Sequence, residues 1–169
     1  MYNDLERFIS FTEIEGFNKN QTLESKLYPN IGKLSLLELC CYHGAVDCFK
    51  LLRTKFNSEI TQTCLQFSFL GGNQEIISEC LKYQTPDKYS IEYAIASHNI
   101  DFVTFLMNEY NMEIDLNYCV RYNNLDLLLV YFDQTNDINK CIICSISLNI
   151  PSFYEYFISQ SSNINEKDI

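Results

Sequence analysis

Three cysteines and a histidine fall within nine residues, at Cys40, Cys41, His43 and Cys48. Thiolate and imidazole are the usual ligands of zinc, and a Cys–His pair can supply a thiol nucleophile with its base. Cys141-Ile-Ile-Cys144 has the CxxC spacing of metal and redox centres. Gly71-Gly72-Asn73 is a short glycine run of the kind that can cradle phosphate.

None of these clusters is completed by the rest of the chain. A structural zinc site draws four converging ligands, often from two CxxC pairs or from one pair with two histidines. Here there is one CxxC, and the two histidines are His43 and His98. The CxxC reads as part of a helix with no strand before it, which excludes a thioredoxin-like context. Cys41 and His43 are two residues apart on a helix, so their side chains diverge. The glycine run follows no strand and carries no GK[ST]. The carboxylates are scattered over turns and helix starts. We therefore expect no catalysis, no metal and no cofactor, and read the clusters through the elements that hold them.

Hydrophobic residues make up 47% of the 169 and charged residues 20%, which is enough apolar material for a folded core. Lys and Arg number 12 against 22 Asp and Glu, a net charge of −10. That balance argues against nucleic acid, whose affinity rests on neutralising phosphates. No apolar run approaches the length of a membrane span, about 18 residues. MYNDLERFISF lacks the apolar stretch of a signal peptide. Eight cysteines without a secretion signal point to free thiols in a reducing, cytoplasmic compartment. Five Gly and three Pro among many Leu, Ile, Phe and Tyr indicate an all-α chain with short connections.

The chain repeats. SLLELCCYHG from Ser35, TCLQFSFLGG from Thr63, YSIEYAIASH from Tyr89, IDLNYCVRYN from Ile114 and NKCIICSISL from Asn139 are each followed by a second apolar segment. The sixth letter is small throughout: Cys40, Ser68, Ala94, Cys119 and Cys144. The fourth is polar in four of the five, at Glu38, Gln66, Glu92 and Asn117, with Ile142 the exception. An acid opens the second segment at Asp47, Glu75, Asp101 and Asp126, where it favours the positive end of a helix dipole. Pro151 takes that place in the fifth unit and suits a first helical turn. The sixth letters are 28, 26, 25 and 25 residues apart, which predicts five helix pairs that bury their faces by stacking.

SLLELCCYHGAVDCFKLL resembles the helical pair of the ankyrin repeat. Ser35 stands at its Thr position, Leu37 at Leu, Cys40 and Cys41 at the two Ala, Gly44 at Gly and Asp47 at the acid. The resemblance implies an ankyrin-like solenoid of about five stacked helix-turn-helix repeats over residues 34–160, with little or no β-hairpin because the units are short. Such finger-poor units resemble the domain of unknown function that precedes ankyrin arrays in large protein families of trichomonad parasites. Residues 1–33 read as a partial repeat, its second helix followed by an inserted loop with a short helix over 16–30. Asn3 falls at its Gly position and Glu6 at its acid. Residues 161–169 read as the start of a further unit, its turn at NINEKD. Ends cut inside repeats predict a piece of a longer solenoid that could self-associate through them.

In ankyrin-like stacks the two residues before the Gly position line the concave face. Here these are Tyr42 and His43, Leu70 and Gly71, Ala96 and Ser97, Arg121 and Tyr122, and Ile146 and Ser147. The expected function is a protein-interaction scaffold that presents this face to another protein, a basic one given the net charge. The alternative is an architectural spacer or cap of a longer array with no partner of its own.

Overall fold

The computed structural model describes residues 3–29 and 32–167; the ends of the expected segments at 1–2 and 168–169, and Asn30 of the insertion, lie outside them. The chain is mostly helical, with neighbouring helices packed together and one small two-stranded sheet among the described residues. It divides into two compact units, Met1–Ser97 and His98–Ile169.

In the first unit, α1 (Leu5–Thr12) leads to the strands β1 (Thr22–Glu24) and β2 (Lys33–Ser35). The strands pair antiparallel, with Leu23 opposite Leu34. The insertion thus holds a strand rather than the expected short helix, because pairing with β2 delivers the buried Leu34 and the cap Ser35 to the next helix. Two helix pairs follow: α2 (Leu36–Tyr42) with α3 (Val46–Phe56), and α4 (Gln62–Gly71) with α5 (Gln74–Cys80). The unit ends on α6 (Lys88–Ala96). The first helices α2, α4 and α6 lie side by side, and α4, in the middle, buries every residue from Cys64 to Phe69.

Polar side chains join neighbouring pairs. Glu38 closes a capping box with Ser35, and its other carboxylate oxygen accepts from Thr61 Oγ1 at 2.8 Å. Thr61 is itself the N-cap of α4. One unit on, Gln66 Nε2 donates to Asp87, the N-cap of α6, at 2.7 Å. In these two units the polar fourth letter therefore reaches the helix start of the following unit. The N-cap of α3, Ala45, has no side chain to offer. Asn3 supplies the lack: its Oδ1 accepts from the Asp47 and Cys48 backbone N–H groups, and its Nδ2 donates to the Asp47 carboxylate.

The second unit comprises α7 (Ile100–Tyr110), α8 (Leu116–Tyr122), α9 (Leu125–Thr135), α10 (Ile138–Ser147) and α11 (Pro151–Lys167). α10 packs on α8, α9 and α11 around Cys119, Leu127, Leu128, Cys141 and Phe157. Residues 163–167 of the expected turn are helical. α11 runs on through Lys167, since SSNINEK contains no Gly or Pro to stop it.

Each first-to-second helix turn contains a residue in the left-handed region: Gly44, Gly72, His98, Asn123 and Asn149. This corrects the fifth unit. Its left-handed residue is Asn149, one position beyond the letter that the decamer register assigns. Ala45 N–H bonds to the Cys40 carbonyl and Asn124 N–H to that of Cys119; Ile150 N–H bonds to that of Ser145. The small slot of unit five is thus Ser145, which is fully buried and, like Ser68, bonds to the carbonyl three residues back. Pro151 is the first residue of α11, and Ser152 takes the acid position. Cys144 and Ser145 are both small, so side-chain size does not reveal the one-residue shift.

Candidate functional site

The expected face separates into packed and open parts. In the first unit, Tyr42 is half-buried, with its ring edge-on to Tyr28 at 5.0 Å and to Phe67 at 5.4 Å. Tyr28 comes from the insertion, and its hydroxyl lies 3.1 Å from His43 Nε2. Burial holds the His43 pKa below its ordinary value. Leu70 is half-buried, and a Cβ on Gly71 would press on the Cys41 carbonyl and stand 2.7 Å from the Gly44 nitrogen. Ala96 and Ser97 are half-buried, the Ser97 hydroxyl donating to the Ala94 carbonyl. Tyr42, Leu70, Gly71, Ala96 and Ser97 are thus partly covered by the fold itself, while His43 is exposed.

In the second unit three of the four equivalents, Arg121, Ile146 and Ser147, are exposed. Arg121 is exposed, its guanidinium 5.3 Å from the centroid of the half-buried Tyr122 ring. Ser147 is exposed, and Ile146 is 59% exposed. With the corrected register, Ile146 aligns with Cys41, Phe69, Ile95 and Val120. The first three are fully buried, whereas Val120 and Ile146 face solvent. Ile143, at the position of Glu38 and Gln66, is 65% exposed.

Between α8 and α10 lies a groove of about 320 Å³, walled by Leu116, Asn117 and Val120 on one side and Ile143, Cys144 and Ser147 on the other, with Tyr131 and Lys140 also lining it. Cys144, in its wall, occupies the place held in the other units by Leu39, Phe67, Tyr93 and Tyr118, so a small side chain stands where the others carry a large one. Lys140 Nζ is anchored 3.2 Å from Asp137 and 3.3 Å from the Tyr131 hydroxyl. Those two partners hold the Lys140 pKa above its usual value, while the Lys140 backbone and ammonium groups hold Asp137 below its own.

A larger cavity, about 470 Å³, lies between α3 and α5. Its charges satisfy one another: Lys50 meets Glu75 at 2.5 Å, and Glu79 meets Lys82 at 2.6 Å and Arg53 at 3.9 Å. The α8/α10 groove carries the exposed apolar residues Val120 and Ile143 at its rim.

All eight cysteines are buried free thiols. Burial raises Cys41, which hydrogen-bonds to Cys64 and Cys80; the bond from Cys41 lowers Cys64. In the second unit Cys119 hydrogen-bonds to Cys144, which raises Cys119 and lowers Cys144; burial pushes Cys141 up to about 11. Among the described residues no three His, Cys, Asp or Glu side chains converge at metal-binding geometry. Among them, too, no helix is long and apolar enough to cross a membrane.

The sequence reading missed Val120, Ile143 and Cys144 as groove residues. The signal was present in the single apolar residue at the otherwise polar fourth letter, but the one-residue shift assigned it to Ile142. Residues 56–131 match the family model of a domain of unknown function, DUF3447. The match runs from the last residue of α3 into α9, across three of the helix pairs. No curated protein and no solved structure matches the chain.

Proposed function

We propose that the chain is an ankyrin-like solenoid module that binds another protein, and that the α8/α10 groove is where it does so. The observation that carries this reading is the groove itself, about 320 Å³ in volume and rimmed by the exposed Val120 and Ile143. Exposed apolar side chains around a pocket are the usual mark of a binding anchor.

The partner's chemistry follows from charge. Residues 1–97 carry nine basic and twelve acidic residues, a net of −3, whereas residues 98–169 carry three and ten, a net of −7. Most of the acidity therefore belongs to the half of the chain that holds the groove. A cationic segment with one bulky apolar side chain fits: the side chain enters the groove, and Lys or Arg residues meet the acidic surround.

Selection from a random peptide library against the whole chain tests this. Enriched sequences should combine Lys or Arg with a bulky apolar residue. Binding should vanish with Cys144→Phe, which fills the groove, and survive Tyr42→Ala. Selection that enriches nothing, against a chain verified as helical, would reject the groove as a peptide site. The spacer reading would then stand on the Glu38–Thr61 and Gln66–Asp87 bonds, which fix how neighbouring pairs stack.

A further inference from the structure

We propose that Cys119 and Cys144 are a thiol pair that a small peroxide entering the α8/α10 groove converts into a disulfide, so that the groove is a site of covalent modification. The inference does not depend on what else the groove binds.

The two cysteines lie on adjacent first helices and their thiols are hydrogen-bonded to each other. Cys144 is 4% exposed and forms part of the groove wall, whereas Cys119 is fully buried behind it. One thiol is thus reachable by a molecule the size of water, and a second stands within sulfur-to-sulfur contact of it. Access assigns the roles: Cys144 lines the groove and Cys119 does not, so Cys144 is the thiol that peroxide meets first, and its thiolate is the nucleophilic form. The Cys41–Cys64 pair of the first unit has the same thiol contact but not the access. Both sulfurs are fully buried, and neither lines the α3/α5 cavity.

The chemistry balances with peroxide as the oxidant. The Cys144 thiolate attacks one peroxide oxygen and the O–O bond breaks. The departing hydroxide takes up a proton and leaves as water, and Cys144 becomes a sulfenic acid. The Cys119 sulfur then attacks the Cys144 sulfur and the S–O bond breaks. The second hydroxide takes the Cys119 proton and leaves as water. Two thiols lose two electrons in all, and one peroxide is reduced to two waters. Forming the bond requires the sulfurs to close from hydrogen-bond contact to about 2.05 Å. The product ties α8 to α10 and so joins two neighbouring helix pairs.

The experiment treats the whole folded chain with hydrogen peroxide, quenches over time, alkylates the remaining thiols after denaturation and maps the peptides. Cys144 should oxidise at least about tenfold faster than Cys41 or Cys64, with Cys119–Cys144 as the first disulfide. In Cys119→Ala, Cys144 should stop at a sulfenic acid that dimedone captures. In Cys144→Ala, Cys119 should remain a thiol. Ala94 occupies the slot equivalent to Cys119, and Ser68 and Ser145 do as well, so Cys119→Ser provides a second variant if the first loses helicity. Oxidation of Cys144 no faster than of Cys41 and Cys64, or a first bridge between Cys141 and Cys144, overturns the proposal.

Discussion

A Cβ at Gly71 would stand 2.7 Å from the Gly44 nitrogen and 3.0 Å from the Tyr42 carbonyl oxygen. Both are backbone atoms, which cannot rotate away. Gly71→Ala should therefore lower stability in urea unfolding by about 2 kcal/mol, by forcing two neighbouring pairs apart. The left-handed turns set a different demand. The last three pairs use His98, Asn123 and Asn149 where the first two use Gly44 and Gly72. Asn is the side chain that best tolerates that conformation, so Asn123→Val should cost about 1–2 kcal/mol and Asn123→Gly much less. At Asp137 the demand is electrostatic. Its folded pKa lies below the ordinary 3.8, so its contribution is present above that value and fades as pH falls through the folded one. Asp137→Asn keeps the cap but removes the charge. Its melting temperature should fall below the parent's near about pH 6, and the gap should narrow as the pH is lowered below the ordinary carboxylate value.

At the scale of elements, α4 is the central support of the first unit. It is flanked by α2 and α6, and six of its residues in a row are buried. Phe67→Ala should remove about 3–5 kcal/mol, because Phe67 is fully buried and also meets the Tyr42 and Tyr93 rings. Its backbone amides should exchange with deuterium more slowly than those of α1, where only Phe8 and Thr12 are buried. The bond between Gln66 and Asp87 ties this helix to the next. A double-mutant cycle with Gln66→Ala and Asp87→Ala should show a coupling of about 1 kcal/mol or more, since Gln66 is nearly buried and its partner is charged. A coupling near zero would mean that apolar packing alone sets the stacking.

For the molecule as a whole, the uneven charge makes a kinetic prediction. If a cationic segment binds the groove, its association rate should drop steeply between low and physiological salt, while Cys144→Phe should abolish binding at both. Salt-insensitive binding would place the contact energy in the apolar rim alone. A helical chain with no large side chain at Cys144 has a built-in opening, and filling it should also raise thermal stability, because the added ring buries apolar surface in an existing void.

The repeat pattern by itself determined the helix pairs. Small sixth letters, polar fourth letters and acids at second-helix starts are local demands of helix packing and capping, and each is visible in residue types. The pattern also explained why Cys40 and Cys41 are core rather than chemistry: both are fully buried at a helix seam. Three matters were left to tertiary structure. The insertion proved to be a strand with an aromatic cover, because pairing with Lys33–Ser35 and contact with Tyr42 and His43 are long-range. The fifth register moved by one, because a backbone bond from Ile150 to Ser145 chooses between two small residues that composition treats alike. The open groove emerged only when Cys144 was placed against α8, since a missing side-chain volume becomes a cavity only when its neighbours cannot close over it.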